Sequence, residues 1–410
     1  MDPPFSVFRD DLIRYAIIFC MAQEIKSYLT HLECPECGKH FSADELQTIC
    51  TDCNSPIFAC YDLESLKGSL TKEEIRLRPK GIWRWAELLP VRKPSFRITL
   101  GEGDTPLLEA PRLAQSLGLQ NLLVKDEGLN PTGTFKARGL QMAVARAVEL
   151  GVREFVIPTA GNAGGALAAY AARCGVRAHV YMPKDAPRST MEEVKSYGME
   201  LTLVDGLIND AGRMAKADAA REGWFDVSTF KEPYRPEGKK TMGLELAEAY
   251  DWNLPDVIIY PAGGGTGLVG MWRAFEQVEA LGWTSGSKRP RFVAVQPDGC
   301  APIVRAFQQG AERVTFWENA QSIAGGIRVP GVFADRPILR LLRQSEGVAI
   351  SVSDEEMIDF HKRLATEDGI LASFESAATA AALARLVNQK WIRPEEKVVI
   401  FSTASGLKYL

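Results

Sequence analysis

The chain has 410 residues, of which 46% are hydrophobic and 24% are charged, and this ordinary usage excludes a disordered, fibrous or coiled-coil protein. At about 150 residues per domain, the length predicts two to three domains. The formal net charge is −4, and the one dense basic cluster, Lys288 to Arg291, lies beside a predicted turn, so no nucleic-acid partner is expected. No apolar run approaches the roughly 18 residues that span a bilayer, so no membrane association is expected either.

Residues 1–30 are predicted to be an N-terminal extension. The segment lacks the basic start and small-residue cleavage site of a signal peptide, because Arg-Asp-Asp occupies positions 9–11, so a cytoplasmic protein is expected. Met21 directly precedes the first polar stretch, which favours an upstream extension over residues 1–20. A packed N-terminal helix fits the same pattern equally well.

Four of the eight cysteines form two Cys-x-x-Cys pairs, Cys34 with Cys37 and Cys50 with Cys53, separated by 12 residues. Two such pairs complete a tetrahedral four-sulfur shell, the geometry of a structural zinc site. Disulfides are disfavoured because no export signal is present, and a four-sulfur iron site is the other alternative. A closed shell has no open position for chemistry, so the pattern predicts a structural zinc ribbon over residues 31–62.

Residues 63–100 mix charges, prolines and aromatics, and they predict a linker that packs onto the next domain. Residues 101–410 alternate short apolar runs with helical patterns, which is typical of an α/β fold with mostly parallel strands covered on both faces. The predicted strands are Leu122–Val124, Glu154–Ile157, Arg177–Met182, Glu200–Val204, Asp256–Tyr260, Arg291–Gln296 and Lys397–Ser402. The predicted helices are Phe135–Leu150, Ala163–Arg173, Asp210–Arg221, Gly238–Tyr250, Gly267–Glu279, Asp354–Asp368 and Ala377–Val387.

Three glycine-containing segments follow predicted strands and open helices, and the first, Asn130–Gly139, carries Lys136 at the start of its helix. The positive end of a helix disfavours an ammonium and lowers the pKa of a lysine placed there. Such a lysine suits a nucleophilic amine or an imine. A surface lysine without chemical function is the commoner alternative for this residue taken alone.

The second segment, Thr159–Gly165, presents Asn162, which offers a donor and an acceptor to a ligand or simply caps its helix. The third presents free backbone N–H groups at a helix start, which is a phosphate cradle formed by Gly263, Gly264, Gly265, Thr266 and Gly267. It lacks the Gly-Lys-Ser/Thr of a nucleoside-triphosphate loop and the spacing of a dinucleotide fingerprint. A phosphate site together with a lysine amine points to pyridoxal phosphate.

Together with Thr403–Lys408, these segments resemble the fold-type II pyridoxal-phosphate enzymes over about residues 100–410, and among them the threonine synthases. Some of these relatives also carry a zinc ribbon in front. The resemblance implies a two-domain α/β fold with mostly parallel sheets, and a smaller mobile subdomain at roughly residues 140–240. It further implies pyridoxal 5'-phosphate as cofactor, a small amino-acid substrate and a homodimer.

The resemblance also implies a role for each matching residue. Lys136 would form the Schiff base with the cofactor and move protons at the substrate's α- and β-carbons. Asn162 would bind the cofactor's 3-hydroxyl, and residues 263–267 would bind its phosphate. Thr403 would face the pyridine nitrogen, which leaves the ring unprotonated and favours eliminations and replacements. Arg235 would lie near the substrate's phosphate and take part in catalysis.

The implied reaction converts O-phosphohomoserine and water to threonine and phosphate. Two segments depart from the pattern of the family: Thr229-Phe230 replaces an Asn-Ser pair, and Ser373-Phe374-Glu375 lacks the usual Pro and Gly. They leave open a lyase or dehydratase acting on serine, threonine or another β-substituted amino acid. A non-catalytic zinc-ribbon binding protein is disfavoured, because it would not need Lys136.

Overall fold

The computed structural model describes residues 25–206, 208–284, 286 and 288–409. The predicted extension over residues 1–20 lies outside this range. Within it, no helix is both long enough and apolar enough to cross a membrane.

The strands of the described residues form three sheets. They are Leu29–Glu33 (β1), His40–Ser42 (β2), Phe58–Tyr61 (β3), Leu107–Glu109 (β4), Asn121–Asp126 (β5), Glu154–Pro158 (β6), Arg177–Pro183 (β7), Glu200–Val204 (β8), Phe225–Asp226 (β9), Val257–Pro261 (β10), Arg291–Pro297 (β11), Val348–Val352 (β12) and Lys397–Ser402 (β13).

The α-helices of the described residues lie mostly between these strands. They are Leu63–Leu66 (α1), Lys72–Leu77 (α2), Pro111–Leu117 (α3), Lys136–Glu149 (α4), Asn162–Cys174 (α5), Arg188–Ser196 (α6), Ile208–Glu222 (α7), Arg235–Ala249 (α8), Thr266–Ala280 (α9), Pro302–Gln308 (α10), Asp335–Gln344 (α11), Asp354–Asp368 (α12) and Phe374–Asn388 (α13). Short 3-10 segments cover Ile82–Leu88, Pro94–Phe96, Glu127–Leu129, Pro131–Gly133 and Gly406–Tyr409.

Two of the sheets are parallel α/β sheets, and this confirms the predicted fold class. The larger one has the order β12-β11-β10-β13-β5-β4, in which only β4 runs antiparallel to its neighbour. The smaller one has the order β8-β7-β6-β9 and is wholly parallel. Each of the seven predicted strands and seven predicted helices is present, with ends that differ by a few residues.

Strand β10 illustrates why the central strands read as continuous apolar runs. All five of its residues are buried. Val257 and Ile259 pack into a core shared with the alanine-rich helix α13, whereas Ile258 and Tyr260 pack on the opposite side with α9 and α11. Both faces of the strand therefore need apolar side chains.

The third sheet, β2-β1-β3, is antiparallel and carries the four paired cysteines on its turns. It shares one apolar core with residues 63–100 and with helix α8. Leu32 of β1, Trp85 of the following segment and Leu244 of α8 all belong to this core and are fully buried. The Trp85 ring also meets the Trp252 ring edge to face, with centroids 6.4 Å apart.

A buried ionic cluster joins the start of the larger sheet to two helices. The Arg138 side chain of α4 is fully buried; its Nε donates to Glu127 Oε2 at 2.6 Å and its Nη2 donates to Glu245 Oε2 at 2.8 Å. Lys125 of β5 donates to the same Glu245 oxygen at 2.7 Å. Burial alone would raise the pKa of Glu245, but Arg138 and Lys125 outweigh it and lower that pKa to about 2.

We expect Arg138→Ala to lower the free energy of unfolding by about 3–5 kcal/mol, because Glu127 would remain buried without its charged partner and Glu245 would keep only Lys125. Arg177→Ala is the matched control, since Arg177 pairs with Glu154 at the exposed amino ends of β7 and β6 and its loss should cost about 1 kcal/mol or less. Chemical denaturation at neutral pH measures both losses. Equal losses in the two variants would contradict the importance of the cluster.

Candidate active site

A cavity lies where the carboxyl ends of β10 and β13 meet the amino ends of helices α4, α5 and α9. Ligands of open parallel sheets bind at this edge, outside the carboxyl ends of the strands. The empty space amounts to about 510 Å³, including the part open to solvent.

The cavity brings together most of the residues that the sequence analysis singled out. Those lining it are Lys136, Asn162, Gly263, Gly264, Gly265, Thr266 and Thr403. Gly267 and Arg235 are not among the lining residues of the described chain. Thr229, Glu375 and Tyr409 line it as well.

Lys136 is the first residue of helix α4 and is half-buried at the cavity wall. Its Nζ lies 4.5 Å from the centroid of the Phe135 ring, and no described residue accepts a hydrogen bond from it. Burial lowers the pKa of Lys136 to about 7; the positive charge of Arg235 adds to the lowering and Glu375 opposes it. The amine is therefore substantially neutral at pH 7 and is available as a nucleophile or base.

Strand β13 holds the backbone of the lysine segment in place. The Phe135 N–H donates to the Thr403 carbonyl at 2.9 Å, and the Thr134 hydroxyl donates to the same oxygen at 3.2 Å. The Thr403 N–H in turn donates to the Ser376 hydroxyl of α13 at 2.8 Å. Lys136 and Thr403, far apart in sequence, are thus fixed side by side.

The sequence analysis missed a second lysine, Lys239 of α8, behind the first. Its side chain is fully buried, and its Nζ donates to the Phe135 carbonyl and lies 3.9 Å from the Phe135 ring centroid. Gly139 makes room for it, since a Cβ there would lie 2.9 Å from Lys239 Cε. Burial, and then the charges of Lys136 and Arg235, hold the pKa of Lys239 well below its ordinary value. The sequence feature that could have predicted this lysine is the set of small residues that lets α4 and α8 approach closely.

The glycine loop before α9 is built to receive an anion. The five backbone N–H groups of residues 263–267 donate to no acceptor among the described residues. Gly265 adopts a φ of 76°, a left-handed conformation that favours glycine, and serves as N-cap of α9. Free N–H groups at the positive end of a helix bind a phosphate without further side chains.

Two buried oxygens of the cavity wall also lack partners. Asn162 donates from Nδ2 to Tyr409 Oη at 2.7 Å, and its Oδ1 is buried without a partner among the described residues. Glu375 Oε1 accepts from the Gly326 N–H at 2.7 Å, and its Oε2 is likewise unpaired. Buried acceptors without donors are costly unless a ligand satisfies them. Lysine amine, phosphate loop and unpaired acceptors together fit pyridoxal 5'-phosphate.

Arg235 lies behind the cavity wall. It is 1% exposed, its Nη1 donates to the Val227 carbonyl at 2.8 Å, and its Nε is buried without a partner among the described residues. Its backbone N–H donates to Glu232, whose pKa burial raises to about 7 against the opposing charge of Arg235. Its charge reaches Lys136, whereas its guanidinium does not line the cavity.

The Thr229-Phe230 pair divides its two side chains between the cavity and the core. Thr229 lines the cavity beside the glycine loop, whereas Phe230 is buried against Phe58, with ring centroids 6.1 Å apart. Phe230 has a φ of 60°, a rare conformation for a bulky residue. The aromatic substitution therefore changes the core behind the site, and the cavity keeps a hydroxyl.

The four paired cysteines converge on one point. The Sγ atoms of Cys34, Cys37, Cys50 and Cys53 all lie within 4.8 Å of one another. Cys34 and Cys53 are 3.4 Å apart and Cys37 and Cys50 are 3.5 Å apart, as in the edges of a tetrahedron. The arrangement fits a metal with four thiolate ligands.

We expect the Lys136 amine of the cofactor-free protein to titrate near pH 7. Competitive labelling with an amine reagent at a series of pH values, read by peptide mass spectrometry, measures this pKa, and the surface lysines of the same digest calibrate the reagent. Arg235→Gln should raise the pKa of Lys136, because it removes a nearby positive charge. An ordinary lysine titration in the native protein would contradict the assigned environment.

The chain is similar to known enzymes along most of its length. A family model described as "Pyridoxal-phosphate dependent enzyme" matches residues 98–404. The threonine synthase of Methanocaldococcus jannaschii is 35% identical over 376 residues, covering 92% of each chain. That of Methanosarcina acetivorans is 34% identical over 379 residues, again covering 92% of each chain.

Solved structures share the fold. Maize serine racemase superposes with a TM-score of 0.64 at 24% identity, covering 74% of this chain and 88% of its own. An L-serine ammonia-lyase from Rhizomucor miehei gives a TM-score of 0.64 at 24% identity, covering 73% of this chain and 93% of its own. With the family match over most of the chain and a cavity that fits the cofactor, this chain belongs to the family of pyridoxal-phosphate dependent enzymes.

Proposed function

We propose that the enzyme is a threonine synthase, which converts O-phosphohomoserine and water to threonine and phosphate. The observation that carries the proposal is the similarity to threonine synthases along 92% of both chains. The cavity supports it, since it combines an amine of lowered pKa with an anion-binding loop.

The bound cofactor supplies an electron sink for negative charge that develops on the substrate. Lys136 would take protons from the α- and β-carbons of the amino acid and return protons at the α- and γ-carbons, while phosphate leaves the γ-carbon and water adds its hydroxyl at the β-carbon; a pKa near 7 is well matched to this task. The N–H groups of residues 263–267 would hold the cofactor's phosphate, and Asn162 would bind its 3-hydroxyl. Thr403 would face the ring nitrogen with its hydroxyl, which would favour elimination and replacement along the side chain.

Arg235 is proposed to contribute to recognition of the substrate's phosphate, together with Thr229 at the cavity wall. The unpaired Nε of Arg235 leaves one donor of its guanidinium uncommitted. To use it, the side chain must turn from the Val227 carbonyl toward the cavity. This requirement gives the alternative function a specific basis: a lyase or dehydratase acting on serine or threonine has no substrate phosphate to bind and would leave Arg235 where it lies.

Phosphate release from O-phosphohomoserine, set beside keto-acid release from threonine and serine, distinguishes the two functions. Arg235→Lys keeps the positive charge behind Lys136 but removes the planar fork of donors. We expect it to lower kcat/KM for O-phosphohomoserine by about 30- to 1,000-fold and to spare any activity on serine. Lys136→Ala is the control that should abolish every activity. Keto acid from serine as the main product, or equal losses on both substrates, would favour the lyase.

We further propose that the four cysteines hold a structural zinc ion. The ribbon then depends on the metal for its folding energy, whereas the cavity does not. Cys50→Ser should abolish tight zinc binding and make residues 31–62 sensitive to protease, while the visible absorbance of the bound cofactor persists. Cys174→Ser, at a half-buried cysteine outside the cluster, is the matched control and should retain the zinc. Immediate loss of the cofactor with the zinc would contradict a purely structural role.

Assembly into a homodimer and a cytoplasmic location remain predictions.

A further inference from the structure

A second group of ligand-type side chains lies on the outer face of the ribbon, away from both the cysteines and the cavity. His31 and Glu33 are two residues apart on β1 and therefore point to the same side, opposite to the buried Leu32. His40 of β2 pairs directly with Glu33 in the sheet register. One ligand atom from each of the three residues lies within 4.8 Å of the other two.

The separations within this group are too long for hydrogen bonds. The Nε2 atoms of His31 and His40 lie 3.8 and 3.9 Å from Glu33 Oε2. His179 shows how a histidine between two carboxylates looks when hydrogen bonds suffice, because its ring nitrogens lie 3.0 and 3.1 Å from Glu200 and Glu154. The three side chains on the ribbon are therefore close together without being hydrogen bonded to one another.

The hydrogen bonds of Thr30 determine which nitrogen of His31 carries the proton. The Thr30 hydroxyl donates its single proton to the Cys60 carbonyl at 3.0 Å, so it can only accept from His31 Nδ1, which lies 2.9 Å away. His31 Nε2 is then left with its lone pair toward Glu33, and it is buried without a hydrogen-bond partner among the described residues. A ring nitrogen fixed in this way is typical of metal-binding histidines.

The Cys60 thiol is the one described donor that reaches Glu33 Oε2, and it does so weakly, at 3.7 Å. The Glu33 carboxylate and the unprotonated Nε2 of His31 therefore face one another with no strong donor within hydrogen-bond distance among the described residues. We propose that His31, Glu33 and His40 form a second metal site, which binds a divalent transition ion such as Zn²⁺. Ligands at about 2.1 Å from a tetrahedral ion are about 3.4 Å apart, so each imidazole Nε2 needs to approach Glu33 Oε2 by only about half an ångström.

The chemistry and exposure of the group support this choice. Two imidazoles and one carboxylate suit zinc, cobalt or nickel rather than calcium or magnesium. Three protein ligands leave a position for water, unlike the closed shell of the four cysteines. The side chains are 32%, 41% and 64% exposed, so an ion can reach them from solvent. We expect binding weaker than at the cysteines.

A metal ion bound at this site would link β1 to β2 across the turn that carries Cys34 and Cys37. Glu33 immediately precedes Cys34, and the Cys34 N–H already donates to the Lys39 carbonyl next to His40, at 2.9 Å. The ion would therefore stabilise the turn that carries Cys34 and Cys37. The two sites are coupled through one hairpin.

The test uses the full-length protein with zinc already bound at the cysteines, titrated with Co²⁺. We expect a second equivalent per chain, with the weak visible spectrum of nitrogen and oxygen ligands and no thiolate charge transfer. Glu33→Gln and His40→Gln should each weaken this binding at least tenfold and abolish the rise in Tm that Co²⁺ produces. Glu45→Gln, which removes the same charge at an exposed position of the ribbon, is the matched control and should bind normally.

A measurement without variants complements the titration. Added Zn²⁺ should protect His31 and His40 from diethylpyrocarbonate and leave the other two histidines as reactive as before. The proposal is overturned if His31 and His40 react equally with and without zinc. It is also overturned if Glu33→Gln and His40→Gln bind the second equivalent as tightly as the unaltered protein.

Discussion

The position of Lys136 at the cavity wall depends on one buried guanidinium. Arg138 follows Lys136 by two residues and is held by Glu127 from the end of β5 and by Glu245 from α8. Taking these charges out of water costs several kcal/mol each, so their attraction adds little net stability. Their geometric effect is larger, because α4 can satisfy both carboxylates at only one depth and rotation. Lys239, on the same face of α8, adds a second contact by donating a hydrogen bond to the Phe135 carbonyl.

Charge around the cavity is arranged in two layers. The inner layer is mainly positive: Lys136, Lys239 and Arg235 lie close together and the amino ends of three helices point inward, while Glu375 is the one carboxylate among the described lining residues. The outer layer, Glu127 and Glu245, mainly balances Arg138 and Lys125. The inner amines are thus left under mutual repulsion, which favours the neutral form of Lys136 and attracts anionic ligands.

Much of the fold and of the candidate site could be predicted from local sequence patterns, whereas features that depend on tertiary contacts could not. Strands such as β10 were predicted because helices cover both of their faces, and the lysine and glycine loops because each is a local strand-to-helix turn. By contrast, β12 is only partly buried, and α11, although amphipathic, is ten residues long and carries Pro337 near its start; neither was among the predicted elements. Lys239 and Tyr409 belong to neither of these local motifs, and tertiary contacts bring them to the site. The position of Arg235 behind the cavity wall depends on its hydrogen bonds with Val227 and Glu232, which the spacing of residues in the sequence does not reveal.

Strand order in the larger sheet has a consequence for how the chain folds. β13 lies between β10 and β5, so the two halves of the sheet meet only through a strand that follows both by a long stretch of sequence. Until β13 is synthesised and inserted, β5 and β10 present long apolar edges with unpaired backbone groups. Non-local pairing of this kind slows folding and prolongs exposure to aggregation. The strand that leads to Thr403 at the cavity therefore also sets the time at which the nascent enzyme completes its larger sheet and can bind its cofactor.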